Sequence, residues 1–204
     1  MKECKAVQRK NFGLTIIAAV MVLFLATGVS AGVNSNKLVL VEAESFDDTG
    51  GWVVDSQFMD QMGSPFLLAH GLGRPVDDAE TRVTFPKAGK YRVWVRTRDW
   101  VAPWKTPETP KTKRAYGTPG KFQVLIDGKF LQTTFGTKAG QWHWHDGGVI
   151  EITKREVRLA LHDLTGFEGR CDAVLFCKDK DFVPPSESNK LTAFRRKLRG
   201  TEKV

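Results

Sequence analysis

The chain has 204 residues and a formal net charge of +8, with 31 Lys and Arg against 23 Asp and Glu. Residues 1–31 hold four basic residues and one acidic residue, and residues 183–204 hold six and two, which leaves +1 for residues 32–182. Nucleic-acid binding needs a basic face on the folded unit, so the nearly neutral body excludes that class of partner.

The first 31 residues have the layout of a secretory signal peptide. A basic start precedes the apolar run 12–26, and Val29-Ser30-Ala31 places small residues at the −3 and −1 positions. An uncleaved membrane anchor is the alternative, but a full span needs roughly 18–20 apolar residues. We therefore expect cleavage after Ala31, export of the protein, and no membrane span in the mature chain.

Short strand-like runs separated by turn residues fill the body of the chain. The run 90–100 is the longest, and its Tyr91, Val93 and Val95 share one face. Asp127-Gly128 joins two runs with a strong hairpin signal. The predicted strands cover 37–45, 51–54, 66–69, 80–85, 90–100, 122–126, 129–134, 149–153, 156–161 and 171–177. Strands at this spacing predict an all-β sandwich of the jelly-roll type over residues 32–182.

Two segments interrupt this rhythm. Residues 101–120 form a loop of about twenty residues with four prolines, and a loop of that length is usually functional or disordered. Residues 183–204 read as a basic tail or linker that ends in a short helix. Leu191, Phe194 and Leu198 would share one face of that helix, which suits a docking segment.

Cys171 and Cys177 stand six residues apart in one predicted strand. At ~3.3 Å per residue their Cα atoms would be roughly 20 Å apart, too far for a disulfide. They are expected to be small buried apolar side chains, because their spacing also fits no zinc motif.

No catalytic motif is present in the sequence. It contains no G-x-S-x-G, H-E-x-x-H, P-loop or G-x-G-x-x-G pattern of the kind that carries a nucleophile, a metal or a nucleotide. The pairs Asp47-Asp48 and Asp77-Asp78 lie in turn-like contexts, where Asp commonly accepts local backbone hydrogen bonds. The sequence therefore predicts a chain without enzymatic activity of its own.

Several short motifs occur together in a characteristic order. They are Val41-Glu42-Ala43-Glu44, Gly50-Gly51, the run 88–96, Gly140-Gln141-Trp142-His143-Trp144, Glu156-Val157-Arg158-Leu159 and the run 169–175. In this order the chain resembles the galactose-binding-like β-sandwiches of carbohydrate-binding module families 6 and 35 over residues 37–181. Such a resemblance implies the fold more directly than the function.

The resemblance implies a structural calcium ion. In these families the ion ties the Glu-Ala-Glu strand to an Asp of the last strand, which matches Glu42, Glu44 and Asp172 here. Hard oxygen ligands of this kind suit Ca²⁺. The alternative is an exposed strand edge that carries two solvated glutamates.

Aromatic residues near predicted loops are the clearest candidates for binding a ligand, because a sugar ring stacks on an aromatic face while polar groups read its hydroxyls. Trp142 matches a position that often stacks on sugar in the resembled families. Trp52 and Trp94 are expected in the core. His143 and His145 share a face, but no third zinc ligand is evident. The candidate ligand-binding residues are Trp142, His143, Trp100, Arg98, Asp99 and Trp104.

A second resemblance involves the segments 51–55, 59–65 and 95–100. They are similar to a region that accompanies the flavin domain in exported bacterial FAD-dependent oxidoreductases, although no dinucleotide-binding strand-turn-helix follows here.

The expected function is an accessory module, periplasmic or secreted, that holds a glycan near a partner enzyme. The alternatives are the targeting domain of an FAD-dependent oxidoreductase whose catalytic domain lies outside this chain, and a protein-interaction sandwich.

Overall fold

The computed structural model describes residues 37–100 and 119–199. The strands are β1 Leu38–Glu42, β2 Trp52–Asp55, β3 Phe66–Ala69, β4 Ala79–Thr84, β5 Gly89–Thr97, β6 Phe122–Ile126, β7 Lys129–Phe130, β8 His143–Ile152, β9 Glu156–Asp163 and β10 Gly169–Cys177. The helices are α1 Met59–Met62 and α2 Ser188–Arg199, and a 3-10 turn covers Ala43–Ser45.

The strands form two antiparallel sheets. The larger sheet has the order β2-β3-β10-β5-β8 with β1 added beside β10, and the smaller has the order β4-β9-β6-β7. The predicted all-β sandwich is therefore confirmed. β3 and β1 share one edge of β10, because β3 pairs with Gly169, Arg170 and Cys171 while β1 pairs with residues 173–177. The register between β10 and β5 shifts in between, so Asp172 is a bulge residue.

The core lies between the two sheets and follows the alternation of the strands. Tyr91, Val93 and Val95 point into it as predicted, opposite the alternating apolar residues of β6 and β9. Trp52 is also a core residue. The turn at Asp127-Gly128 is confirmed, with φ of +48° and +76° in the left-handed region that this tight hairpin needs.

The outer face of the larger sheet is covered by α2. Leu191, Phe194 and Leu198 are buried there against a set of sheet residues. That set comprises Leu38, Trp94, Trp144, Ala173, Leu175 and Cys177. The predicted apolar stripe of the helix is thus present, and residues 188–199 belong to the fold rather than to an extended linker.

Several details differ from the expected strands, among them the ends of β1 and β8 and the faces of the two cysteines. β1 ends at Glu42, so Glu44 lies in the 3-10 turn and the two glutamates are not strand neighbours on one face. β8 begins at His143, because residues 143–146 continue the pairing with β5. Cys171 and Cys177 are free and buried as predicted, but the bulge at Asp172 places Cys171 in the core and Cys177 under α2.

Parts of the predictions lie outside the described residues. These are the signal peptide and most of the loop 101–120, including Trp104. Within the described ranges, neither helix has the length and apolar character needed to cross a bilayer.

Candidate functional site

One end of the sandwich, where β3 and β5 end and β10 begins, gathers aromatic and charged side chains. The ring of Trp100 stacks on that of Phe167, with centroids 5.8 Å apart and planes 15° from parallel. Trp100 Nε1 donates a hydrogen bond of 3.1 Å to the Phe167 carbonyl. Phe167 is 44% exposed, and the Arg170 guanidinium lies 5.5 Å from the Trp100 ring centroid. We call Trp100, Phe167, Glu168 and Arg170 the loop-end cluster.

The polar groups of the loop-end cluster lie beside its rings. Arg170 Nη2 is 3.0 Å from Glu168 Oε2, and Nη1 donates to the Glu168 carbonyl at 2.9 Å. His70 Nδ1 lies 3.6 Å from Glu168 Oε1. Arg170 Nε is buried without a hydrogen-bond partner among the described residues. Arg170 is itself buried, so the polar groups with access to solvent beside the exposed Phe167 ring are those of Glu168 and His70.

The backbone around the loop-end cluster is held in an uncommon conformation. Glu168 and Leu72 have φ of +62° and +53°, a region that non-glycine residues seldom adopt. The Gly166 carbonyl accepts hydrogen bonds from the N–H groups of Gly71 and Gly73, which ties the two loops together. Buried Asp163 accepts a further bond from the Gly166 N–H at 2.8 Å. Strained positions of this kind concentrate at functional sites.

Trp142 lies in a different, buried cluster. Its ring meets Phe66 at 5.0 Å and Phe58 at 5.9 Å, both edge to face. The residue is only 7% exposed, and Met62 and Leu68 complete the cluster on the outer face of the sheet. Stacking on a sugar would require this cluster to open, so the geometry gives Trp142 a packing role. The prediction that Trp142 binds sugar stays a prediction.

Arg98 and Asp99, two further candidates for binding a ligand, both lie at the end of β5 but contact different groups. The guanidinium carbon of Arg98 lies 4.9 Å from the Phe58 ring centroid. Burial, and then the neighbouring charge of Arg170, lower the pKa of Arg98. Asp99 is buried, and its N–H donates to the carbonyls of Lys138 and Ala139. Arg98 therefore lies between the loop-end cluster and the Trp142 cluster.

His143 lies beside His145 at the start of β8. Its ring centroid is 5.9 Å from that of His145, and His145 contacts the core residue Phe135 at 5.2 Å. His143 Nδ1 lies 3.1 Å from the Gln141 carbonyl oxygen. Of the predicted ligand-binding residues, Trp100 and Arg98 lie close to Phe167, Glu168 and Arg170, whereas Trp104 lies outside the described residues.

The burial of His145 leads to a pH prediction. Burial, followed by the charge of Lys138 and the neighbouring His143, lowers its pKa from 6.5 to about 4. Between those two pH values the unfolded chain binds a proton that folded His145 does not, so stability falls as the pH drops from about 6.5 towards 4. In denaturant titrations across this range, His145→Gln should flatten the pH dependence. An unchanged slope would show that other groups cause the acid sensitivity.

The predicted calcium ligands lie together, but an arginine is paired with two of them. Arg195 Nη2 is 2.6 Å from Asp172 Oδ2 and 3.1 Å from Glu42 Oε2. Burial raises the pKa of Glu44 to about 7 and that of Asp172 to about 6, although Arg195 and Arg96 favour the ionised form of Asp172. Among the described residues no group of three His, Cys, Asp or Glu has the geometry to hold a metal ion. Because Arg195 already pairs with Glu42 and Asp172, these residues as arranged here do not fit a bound Ca²⁺ ion. No observation tests calcium binding directly, so it stays a prediction.

A surface depression lies beside the smaller sheet. Its volume is about 270 Å³, and it is lined by Asp47, Asp48, Glu80, Thr81, Arg82 and Arg158. Thr81 Oγ1 and the Arg82 N–H both donate to Asp47, and Asp48 Oδ1 accepts from the Gly50 N–H, in keeping with the structural role expected for this pair. No aromatic residue is among those that line this groove, so it is less suited to a sugar ring than the loop-end cluster.

Comparison with known proteins identifies the fold. No protein-family model and no curated protein match the sequence. Among solved structures, the chain is similar to a Podospora anserina GH26-CBM35 β-(1,4)-mannanase, with 14% identity and a TM-score of 0.52 over 73% of this chain and 29% of the mannanase. It is also similar to a family 35 carbohydrate-binding module from an environmental isolate, with 14% identity and a TM-score of 0.50 over 69% of this chain and 93% of the module. The chain therefore has the galactose-binding-like β-sandwich fold of carbohydrate-binding modules.

Proposed function

We propose that this chain is a non-catalytic carbohydrate-binding module that holds a glycan at the loop-end cluster. The observation that carries the proposal is the stacked pair of Trp100 and the half-exposed Phe167, set beside the charged pair of Arg170 and Glu168. The fold agrees with this function without establishing it, because one fold serves many functions.

The chemistry of the loop-end cluster suits a sugar. The C–H face of a pyranose ring is apolar and packs flat on an aromatic ring, which Phe167 and Trp100 offer. The hydroxyl groups around the sugar need donors and acceptors at fixed positions, which the accessible Glu168 and His70 supply. The buried Arg170 holds the Glu168 carboxylate in place.

The module would act in an exported protein by keeping a partner enzyme near its glycan. The chain spans 29% of the length of the mannanase that it resembles, so such a module is one part of a larger enzyme there. In this protein the catalytic partner would lie on another chain or on sequence beyond this one.

The test is a glycan-array screen of the protein, followed by calorimetry on each sugar that binds. Trp100→Ala should weaken binding by about 30-fold or more, because a central aromatic contact is typically worth about 2 kcal/mol or more. Phe130→Ala is the matched control, since Phe130 is an exposed aromatic residue on β7 of the smaller sheet.

Two outcomes would contradict the proposal. Failure of the folded protein to bind any glycan would exclude carbohydrate binding and favour a protein-interaction sandwich. Binding that Trp100→Ala and Phe167→Ala both leave unchanged would place the sugar elsewhere on the sandwich.

A further inference from the structure

Several buried charged side chains lie together beneath α2, on the face of the larger sheet that points away from the core. Carbohydrate binding does not explain them. Asp172 is fully buried at the bulge of β10, at the point where the neighbouring strand changes from β3 to β1. Its Oδ1 accepts a hydrogen bond of 3.1 Å from Ser64 Oγ. Its Oδ2 lies 2.6 Å from Arg195 Nη2 and 3.4 Å from Arg96 Nη1.

The guanidinium of Arg195 is surrounded by oxygen atoms from separate parts of the chain. Nη2 contacts the carboxylates of Asp172 and Glu42, and Nη1 donates to the Met62 carbonyl and to Ser64 Oγ, both at 2.7 Å. Met62 is the last residue of α1, where a backbone carbonyl lacks a partner within the helix. Two carboxylates, a carbonyl and a hydroxyl are the ligand types that a hard metal cation selects.

The position of Arg195 follows from how α2 is docked. Leu191, Phe194 and Leu198 fix the helix on the sheet, and Arg195 is only 3% exposed on the side that faces Asp172. Its neighbour Arg196 is exposed, so the two adjacent arginines have opposite surroundings. A buried arginine is stable only when its charge is paired and most of its donors are satisfied. Here the charge and both Nη groups are paired with groups from β1, β10 and the α1–β3 connection, and Nε alone has no hydrogen-bond partner among the described residues.

We propose that Arg195 is the resident cation of this carboxylate cluster, and that α2 ties β1, β10 and the α1–β3 connection together in the way a bound metal ion would. The partly buried Glu42 and the fully buried Asp172 face two buried arginines, Arg96 and Arg195, so these carboxylates already have positive partners. Folding of this protein is then independent of calcium. Removal of the Arg195 charge leaves oxygen ligands that a divalent cation can take up.

The test compares thermal unfolding of the full chain with that of Arg195→Gln and Arg196→Gln, each in excess EDTA and in millimolar CaCl₂. The wild-type midpoint should be the same in both solutions. Arg195→Gln should lower the midpoint in EDTA by roughly 6–20 °C, the range for breaking a buried ion pair in a chain of this size. Calcium should raise the midpoint of Arg195→Gln alone, and Arg196→Gln should behave as wild type.

Arg195→Lys keeps a positive charge but loses the planar fork of donors, so its midpoint should lie between those of wild type and Arg195→Gln. This variant and the wild-type calcium titration test the proposal even if Arg195→Gln does not fold. A wild-type midpoint that rises with calcium and falls with EDTA would overturn the proposal in favour of a metal site. A midpoint of Arg195→Gln in EDTA equal to that of Arg196→Gln would overturn it too, because Arg195 would then contribute nothing to the cluster.

Discussion

Replacing Trp142 with alanine is expected to lower the free energy of unfolding by about 3–5 kcal/mol, the usual cost of deleting a buried aromatic side chain. The indole packs edge to face on Phe66 and Phe58, and Met62 is fully buried beside it. Its removal would leave a cavity between α1 and the outer face of β3 that these side chains could only partly fill. Chemical denaturation followed by circular dichroism measures the loss.

Trp100→Ala is the matched comparison, because it removes the same side chain from the half-exposed loop-end cluster. We expect Trp142→Ala to lose stability while the folded fraction keeps its glycan affinity, and Trp100→Ala to lose affinity with a smaller loss of stability. The opposite pattern, with Trp142→Ala stable and unable to bind sugar, would restore the sequence-based prediction that Trp142 stacks on the ligand.

The burial of Trp142 could not be predicted from its local sequence. Gln141 and His143 on either side are polar, which favours a loop position near solvent. The residues that cover the ring, Phe58 and Phe66, come from a segment more than seventy residues earlier in the chain. Local alternation predicted β5 correctly, because the faces of one strand are set by its own residues, whereas the partners of Trp142 are set by how distant loops pack.

The residues of the predicted calcium site could likewise be predicted only in part. Glu42 and Asp172 were expected to lie together, and the pairing of Glu42 with Ala173 does bring them close. The apolar spacing in residues 188–199 correctly predicted a helix. Periodicity gives the face of a helix but not the surface on which it docks, so the arrival of Arg195 beside Asp172 had no signal in the sequence.

The loop-end cluster was predicted only in part. The sequence makes Trp100 and Arg98 candidates because they lie at the end of the long predicted strand, whereas Phe167, Glu168 and Arg170 are not among the predicted ligand-binding residues. A signal was present in Gly166-Phe167-Glu168-Gly169, where a large aromatic residue stands between two glycines in a turn. An apolar side chain in such a context has few local partners and is a candidate for contact with a ligand.

Leu191→Asp is expected to release α2 from the sheet and to lower the free energy of unfolding by about 3 kcal/mol or more. Leu191 is fully buried in the cluster that contains Trp94 and Trp144, so the new carboxylate would lie unpaired among apolar groups. Undocking also withdraws Arg195 from Asp172, which leaves the carboxylate with the longer contact to Arg96 and adds the loss of a buried ion pair to the loss of the apolar contacts. The combined loss should therefore exceed that of Leu191→Ala.

Thr192→Asp is the control, because it adds the same charge at the neighbouring, exposed position of the same helix turn. Release of α2 would expose Trp94 and Trp144 to water, so a red shift of tryptophan emission should accompany the loss of stability in Leu191→Asp and be absent in Thr192→Asp. Amide hydrogen exchange over residues 188–199 should rise in the same variant alone. If both variants kept the emission and stability of the wild type, α2 would not be docked in solution, and Arg195 could not act as the cation of the buried carboxylates.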